Sequence, residues 1–329
     1  MTEQQNRRLG EFELIEWIRE QAGTGTHLTL GIGDDCCIQR LAPDQELLTT
    51  TDLLIEDVHF KRQWTSLYDL GRKAAAVNLS DIAAMGGQPL SLYLGIGRPT
   101  TLDDSQVKEL LSGFIYQTRL AGAVLVGGDT CGSPGPLMLS VTVEGSIPCG
   151  CALRRDGARV GDSIYVSGTL GDSALGLKHL LAGKEPSADL AARFHTPEPR
   201  LELGQWLVAE GLATAMLDVS DGLISDLGHI LQSSAVGAEI ALERLPLSAA
   251  FARELAADRA LYDLALAGGE DYELLFTAAD SGLEQRNVEF PVPITRIGRI
   301  CAEPGLRIVQ ADGTAYTCSK HGFDHFAGS

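Results

Sequence analysis

Short apolar segments rich in β-forming residues recur along the chain, and many run directly into glycine and aspartate. Examples are LTLGIG (28–33), LLTTTDLLI (47–55) and AVLVGGD (123–129) in the first half, and ATAMLDVSDG (213–222) in the second. Segments with apolar residues at helical spacing alternate with them, among them residues 10–20, 69–85 and 103–121. The alternation predicts an α+β chain whose two halves share one plan, an apolar strand that ends in a turn carrying Gly and Asp.

Length predicts two domains, because 329 residues exceed the usual domain size of about 150. Residues 145–162 (GSIPCGCALRRDGARVGD) crowd Gly, Pro, Cys and Arg together and have little periodicity. Such a segment is typical of a domain junction. We therefore expect an N-terminal domain at 1–147 and a C-terminal domain at 148–329.

The charge balance excludes some partners. Lys and Arg total 26 against 44 Asp and Glu, a net charge of −18, whereas nucleic acid and anionic membranes attract positive surfaces. We expect neither partner, and any bound phosphate requires a metal ion or local Arg and backbone N–H groups. No apolar run reaches the roughly 18 residues of a membrane span, and the N-terminus lacks a signal-peptide core, so we expect a cytoplasmic protein.

The seven cysteines form no CxxC pair. Cysteine without a metal or disulfide partner behaves as a small hydrophobic residue. We therefore expect reduced and mostly buried thiols.

Acidic motifs stand where several apolar segments end, and glycines flank most of them. Hard cations such as Mg²⁺ prefer oxygen ligands and commonly bind together with substrate phosphates. Each motif alone is also ordinary turn chemistry, so the joint occurrence carries the prediction of a multi-metal phosphate site. The acidic candidates are Asp34, Asp35, Asp52, Asp81, Asp129, Asp218, Asp221, Glu270 and Asp271, with Thr50 and Thr51 as further oxygen donors.

The common nucleotide-binding motifs are absent from the sequence. Gly183 and Lys184 are followed by Glu185, so there is no P-loop, and neither an opening GxGxxG nor kinase HRD and DFG motifs occur. GTLGDS (168–173) joins a Gly-rich turn to a predicted helix start, which could hold an anion or serve as a helix cap. ATP would bind here in a less common scaffold.

Segments spread in order over nearly the whole chain resemble the thiamine-monophosphate kinase family. They are GIGDDC (31–36), TTDLLIEDVHF (50–60), AVNLSDIAAMG (76–86), GGDT (127–130), DVSDGLISDLGHI (218–230), GGEDYELLF (268–276) and GFDHF (322–326). The resemblance implies two α+β domains of the aminoimidazole ribonucleotide synthetase-like type and a homodimer formed through the sheet of the N-terminal domain. It also implies ATP- and Mg²⁺-dependent phosphorylation of thiamine monophosphate to thiamine diphosphate, the last step of thiamine diphosphate biosynthesis.

The resemblance assigns roles position by position. The implied Mg²⁺ ligands are Asp35, Thr50, Thr51, Asp52, Asp81, Asp129, Asp218 and Asp221. The implied ATP contacts are Gly128, Asp129, Arg155 and Ser220. The implied contacts to thiamine monophosphate are His59, Glu270 and Phe323.

Structural roles remain open for some of these residues. His59 could be a core or capping histidine, Arg155 a solvated charge and Phe323 a packing residue. Asp34 could be a second metal ligand or a helix-cap acceptor.

The sequence also departs from the family pattern. Cys131 follows GGDT where the family often has a second Thr or Ser, and Phe323 stands where relatives carry Trp or Tyr. Stacking on the substrate ring is then retained, but a hydroxyl or indole donor is lost. Tyr116 is the nearest match for an ATP-contacting Tyr of some relatives.

Two alternatives stay open. Another ATP-using synthetase of the superfamily is one, although a selenophosphate synthetase would need a reactive Cys or selenocysteine and a Lys in a Gly-rich N-terminal loop, and residues 1–30 contain no Cys and no Lys. A catalytically silent nucleotide-binding regulator would have lost acidic positions, and all are filled. No Ser, Cys or His stands in a base-assisted nucleophile arrangement, so we expect direct in-line phosphoryl transfer.

Overall fold

The computed structural model describes residues 11–33, 36–279, 282–286 and 292–319. The described residues fall into two compact units, one within Met1–Ile82 and Gln88–Gly150, the other within Ala83–Gly87 and Cys151–Ser329. Asp34, Asp35 and Phe323 lie outside the described residues. No helix of the described part is long and apolar enough to cross a membrane.

A four-stranded sheet forms the centre of the first unit. In chain order its strands are β3 (Gln45–Ile55), β4 (Gln88–Pro99), β5 (Val124–Ser133) and β6 (Met138–Pro148). They lie in the order β3-β6-β4-β5, antiparallel except for the parallel pair β4 and β5. The other elements are α1 (Glu11–Ala22), β1 (Leu28–Leu30), β2 (Ile38–Gln39), α2 (Leu67–Ala84) and α3 (Asp104–Leu120), and β1 pairs with β2.

Three acidic candidates of the first unit lie inside secondary structure elements. The sequence predicts a strand that turns at Gly127–Asp129, but β5 continues to Ser133, so that turn is wrong. Asp52 lies within β3, and Asp81 lies within α2. Their positions are therefore fixed by regular hydrogen bonding and not by turns.

Helices α2 and α3 pack at backbone distance through glycine. A Cβ at Gly113 of α3 would lie 1.8 Å from the Tyr68 carbonyl oxygen of α2, and a Cβ at Gly71 of α2 would lie 1.9 Å from the Leu110 carbonyl oxygen of α3. The start of α3 is fixed by a capping box in which the Asp103 carboxylate accepts from the Gln106 N–H. Asp81 lies on α2, so this packing fixes the helix that carries it.

A six-stranded sheet forms the centre of the second unit, in the order β12-β9-β11-β7-β10-β8. Its strands are β7 (Ser163–Ser167), β8 (Ala215–Asp218), β9 (Gly237–Ala241), β10 (Leu274–Ala278), β11 (Ile294–Cys301) and β12 (Gly305–Val309). All neighbouring pairs are antiparallel except β12 and β9. The helices are α4 (Asp172–Leu181), α5 (Ala188–His195), α6 (Leu201–Ala209), α7 (Leu223–Ser234), α8 (Ala249–Leu255), α9 (Tyr262–Ala267) and α10 (Leu283–Arg286), with 3₁₀ turns at Leu242–Arg244 and Arg259–Leu261.

Both faces of this second sheet are buried. Along β7, Ile164 and Val166 belong to one apolar cluster and Tyr165 belongs to the other, as strand alternation requires. The end of α2 joins the second cluster, because Gly204 of α6 lies so close to Ala83 that a Cβ there would be 2.2 Å from the Ala83 carbonyl oxygen. This contact explains why residues 83–87 belong to the second unit. The α+β class predicted from the sequence is confirmed.

We expect Gly113→Ala to lower the free energy of unfolding by about 1 to 3 kcal/mol, because the added methyl group must displace the α2 backbone. The matched control is Gly228→Ala in α7, where nothing outside the helix lies within 4 Å of a Cβ. That control should be neutral or raise stability by up to about 1 kcal/mol, the difference in helix propensity. Urea unfolding followed by circular dichroism measures both, and equal effects at the two positions would contradict the close packing.

Candidate active site

In the first unit the structure brings Thr50 and Asp81 together. The Thr50 hydroxyl donates to Oδ2 of Asp81 at 2.5 Å, joining β3 to α2. Asp52 lies two residues beyond Thr50, and side chains two apart share one face of a strand. Thr50 and Asp52 therefore present oxygen atoms on the face of β3 that contacts α2.

Nearby parts of the chain displace water from Asp52. Its side chain remains exposed at the edge of the sheet, yet desolvation raises the pKa of Asp52 above its ordinary value. Removing water around a carboxylate disfavours its charged form. A cation bound here would counter that effect.

Thr51 and Asp129 are placed apart from this group. The Thr51 hydroxyl donates to the Val141 carbonyl oxygen at 2.9 Å and accepts from Thr142 at 3.1 Å, so it is used within the sheet. Asp129 is exposed on β5, which lies three strand positions from β3, roughly 14 Å at about 4.8 Å per strand. The structure does not bring Asp129 beside Asp52.

Gly128 lies where only glycine fits. Its φ is +154°, and a Cβ there would be 2.0 Å from the Leu94 carbonyl oxygen of β4. The sequence assigns Gly128 to ATP contact, and the structure adds that a side chain at this position would force β4 and β5 apart.

Carboxylate and hydroxyl oxygens are the donors that Mg²⁺ prefers, so the donor chemistry of the first unit fits a hard cation. Among the described residues, however, no group of three or more His, Cys, Asp or Glu side chains is arranged to hold a metal. Asp35 lies outside those residues. The fit is therefore one of donor type, with Thr50 and Asp81 as the pair already in contact.

In the second unit β8 ends at Asp218, and the acidic turn that joins it to α7 includes Ser220 and Asp221. The carboxylate of Asp226, in the first turn of α7, accepts from the backbone N–H groups of Asp221 and Gly222, both at 3.0 Å. Burial and the nearby charge of Asp221 raise the pKa of Asp226 to about 7, although these backbone donors oppose the shift. Asp226 thus anchors the turn, a role that the sequence analysis missed. An acidic residue in the first turn of a helix, as Asp226 is in α7, was the available signal.

A second turn, between α9 and β10, is bonded to the first one. The backbone N–H of Glu270 donates to the Ser220 carbonyl oxygen at 2.7 Å, and that of Tyr272 donates to the Val219 carbonyl oxygen at 2.8 Å. The structure therefore brings together Ser220 and Glu270, which the resemblance assigns to ATP and to substrate.

Glu270 and Tyr272 have left-handed backbone conformations, with φ of 68° and 50°. Such a conformation costs a residue with a side chain roughly 1 to 2 kcal/mol. Two of them in three residues persist only where the surroundings hold them, and such strain concentrates at functional sites.

Buried charges that the sequence analysis did not assign surround this turn. The Asp271 carboxylate accepts from the Gly171 N–H at 2.7 Å, while its Oδ1 is buried with no hydrogen-bond partner in the described part of the chain. Burial raises the pKa of Asp271 to about 8. Glu273 is fully buried between Arg193, at 2.5 Å, and Arg200, at 2.7 Å. No sequence signal marked the two arginines, because their partner lies more than 70 positions away.

The GTLGDS segment binds a carboxyl group of its own chain. The N-cap of α4 is Gly171, which makes no side-chain capping bond, so the structure does not support the capping alternative. The Gly171 N–H instead donates to Asp271.

The structure favours a local role for His59. Its Nδ1 accepts from the Ile55 N–H at 3.0 Å, which fixes the turn after β3 and matches the capping alternative. Arg155 is exposed, and its carbonyl oxygen accepts from the Ser234 hydroxyl at 2.9 Å. Tyr116 is exposed on α3, with the Arg72 guanidinium 5.4 Å from its ring centre.

The prediction of mostly buried thiols is wrong. Cys36, Cys131, Cys149 and Cys151 are exposed, and the other three cysteines are partly exposed.

Comparison with known proteins gives a consistent result over the whole length. Residues 33–147 match the family model described as AIR synthase related protein, N-terminal domain, and residues 159–309 match its C-terminal domain. The chain is 39% identical to the thiamine-monophosphate kinase of Haemophilus influenzae, over 97% of this chain and 98% of that protein.

Solved structures agree with the sequence relatives. The thiamine-monophosphate kinase of Stenotrophomonas maltophilia K279a is similar with a TM-score of 0.83 and 40% identity, covering 94% of this chain and 98% of that chain. AaThiL complexed with AMPPCP and TMP is similar with a TM-score of 0.76 and 34% identity, covering 98% of this chain and 100% of that chain.

The raised pKa of Asp226 predicts a dependence of stability on pH. The folded protein keeps a proton on Asp226 up to about pH 7, whereas the unfolded chain releases it near the ordinary value of 3.8. The contribution to stability is therefore complete below that lower value and is lost as the pH rises to about 7. Asp226→Asn keeps an acceptor for the backbone donors and removes this loss.

We expect the free energy of unfolding of Asp226→Asn, relative to that of the wild type, to be about 2 kcal/mol higher at roughly pH 8.5 than at roughly pH 5.5, since one pKa unit corresponds to about 1.4 kcal/mol. Urea unfolding of both proteins at the two pH values, in the presence of a chelator, measures the difference. A difference that does not change with pH would contradict the assignment.

Proposed function

The chain belongs to the thiamine-monophosphate kinase family, and we propose that it transfers the γ-phosphoryl group of ATP to thiamine monophosphate, giving thiamine diphosphate and ADP. The observation that carries the proposal is the backbone bond that places Ser220 beside Glu270. These are the positions assigned to ATP and to substrate, in a chain similar to AaThiL, which binds AMPPCP and TMP. Relatives of the same name at 39 to 40% identity over nearly the full length support the same activity.

The chemistry of the acceptor explains why no catalytic base is needed. A phosphate monoester has a second pKa of about 6, so thiamine monophosphate is already a nucleophile at neutral pH. In the transfer an oxygen of its phosphate bonds to the γ-phosphorus of ATP, and the bond from that phosphorus to the β-phosphate bridging oxygen breaks. The remaining task is to align two anions in line and to offset their repulsion.

Magnesium is the cation that we propose for this task. When bound, Mg²⁺ neutralises phosphate charge and orients the phosphates for transfer. In the first unit Thr50, Asp52 and Asp81 are the donors best placed to hold it, with Asp35, Thr51 and Asp129 proposed from the resemblance. In the second unit Asp218 and Asp221 are proposed ligands, and Asp226 keeps their turn in place.

We propose further substrate contacts from the same resemblance. Gly128 allows close backbone approach to ATP, and the exposed Arg155 guanidinium suits a phosphate group. Glu270 and Phe323 are proposed to contact thiamine monophosphate. His59 is likewise proposed to contact the substrate.

We also propose a cytoplasmic homodimer that pairs through the sheet of the first unit. Support comes from β3, an outer strand of that sheet on which Leu47 and Leu53 are 50% and 54% exposed. Exposed apolar side chains on an outer strand favour association with a second surface.

Product analysis tests the activity directly. The purified chain is incubated with ATP, Mg²⁺ and thiamine monophosphate, and the products are separated by chromatography. We expect thiamine diphosphate and ADP in equal amounts. ADP without thiamine diphosphate, or no reaction, would contradict the proposed function.

We expect Asp52→Asn, Asp81→Asn and Asp129→Asn each to lower the turnover rate more than ten-fold, at least about 1.4 kcal/mol, because each removes one charge from the proposed cation site. The matched control is Asp44→Asn, an exposed position of the same unit, which should retain the wild-type rate. Circular dichroism checks that each variant is folded. A folded variant that keeps more than about a tenth of the rate would remove its residue from the ligand set.

Direct transfer predicts that the protein itself never carries the phosphoryl group. Incubation with γ-labelled ATP and Mg²⁺, without thiamine monophosphate, followed by a denaturing quench, should leave the protein unlabelled. Stoichiometric label that moves into thiamine diphosphate when the acceptor is added would show a phosphoenzyme instead.

A further inference from the structure

The strained turn that carries Glu270 is held by contacts from outside its own segment. Glu270 and Tyr272 are two of the few residues with side chains that have positive φ in the described part of the chain. Their backbone N–H groups bond to the turn after β8. Those two bonds join turn to turn, but they leave the carbonyl group of Asp271, between them, to be fixed by another element.

Arg193 of α5 supplies that contact. Its Nη2 lies 2.5 Å from Oε1 of Glu273, 3.2 Å from the Asp271 carbonyl oxygen and 3.4 Å from the Thr169 carbonyl oxygen. One guanidinium therefore joins the strained turn, the start of β10 and the loop before α4. All three contacts come from this one nitrogen, so its two N–H groups are shared among three oxygens.

Glu273 holds Arg193 in place. Both of its oxygens are bonded, since Arg200 donates to Oε2 at 2.8 Å and to Oε1 at 2.7 Å, and the Ser167 hydroxyl donates to Oε2 at 2.5 Å. The backbone at Gly168 packs closely against this carboxylate, because a Cβ there would lie 2.0 Å from Oε1 of Glu273. The geometry of this ion pair is therefore closely defined.

Stability alone does not account for a buried charged junction of this kind. Burying ion pairs removes their hydration, and well-packed apolar residues often stabilise a core equally well. Unlike apolar contacts, the hydrogen bonds of this junction are directional. They fix the backbone at Asp271, which is adjacent to Glu270.

We propose that Arg193, held by Glu273, is a positioning residue that fixes Glu270 for binding of thiamine monophosphate. It acts through the Asp271 carbonyl group and does not itself contact the substrate. The inference rests on the proposed function, since it assigns Glu270 to the acceptor and not to ATP. It predicts that disturbing Arg193 weakens binding of one substrate selectively.

The test is a double-mutant cycle between Arg193 and Glu270. We expect Arg193→Gln to raise the KM for thiamine monophosphate at least ten-fold and to leave the KM for ATP within two-fold. In a Glu270→Gln background the same substitution should change the KM for thiamine monophosphate less than two-fold, because the side chain that it positions is already lost. Calorimetric titration with thiamine monophosphate, in the presence of a non-hydrolysable ATP analogue, gives the same comparison without turnover.

Controls separate positioning from a general loss of stability. Arg244→Gln removes a surface arginine that pairs with Glu284 and should leave both KM values unchanged. If Arg193→Gln does not fold, Arg193→Lys is used in the same cycle, with a smaller increase expected because the ammonium retains the positive charge opposite Glu273.

Equal effects of the Arg193 substitution in both backgrounds would overturn the inference, and so would equal weakening of both substrates. A wild-type chain that does not phosphorylate thiamine monophosphate would instead refute the proposed function. The two failures are therefore distinguishable.

Discussion

Burial of carboxyl groups constrains the second unit, and the positions of its two acidic turns depend on how that burial is balanced. Loss of hydration disfavours the ionised forms of Asp226 and Asp271, and nearby charges add to this effect, that of Asp221 for Asp226 and those of Asp172 and Glu273 for Asp271. Backbone N–H groups of Gly171, Asp221 and Gly222 oppose these effects. The donors are few and directional, so the turns have little freedom to move.

The two units hold their acidic groups in different ways. In the first unit Asp52, Asp81 and Asp129 are placed by strand and helix hydrogen bonding, and a hydroxyl bond from Thr50 links β3 to α2. In the second unit Asp218 and Asp221 stand at the end of a strand and in a turn. Regular elements tolerate exposed charge without extra support, whereas the turns need the buried anchors described above.

The sequence was informative wherever the structure depends on local pattern. The helix predicted over 103–121 is present as Asp104–Leu120 with its cap at Asp103, and the strand predicted over 47–55 is present as Gln45–Ile55. The turn expected at Gly127–Asp129 was wrong because glycine also occurs inside strands where two backbones approach closely, as at Gly128.

Long-range contacts could not be read from the sequence. Arg193 and Arg200 meet Glu273 across more than 70 residues, and nothing local distinguishes them from surface arginines. Of the site itself, the motifs indicated which residues to consider, but they did not show that Ser220 and Glu270 are bonded neighbours or that Asp129 lies across the sheet from Asp52. Those relations follow from the strand order and from the two backbone hydrogen bonds that join the turns.

We propose that this acidic chain binds a polyphosphate through cations held by its carboxylates. The most direct measurement is a calorimetric titration of ATP into the protein, with Mg²⁺ and again with a chelator in place of Mg²⁺. We expect ATP to bind at least 100-fold more weakly without the cation, a difference of about 2.7 kcal/mol or more in binding free energy. Equal affinity under the two conditions would contradict it.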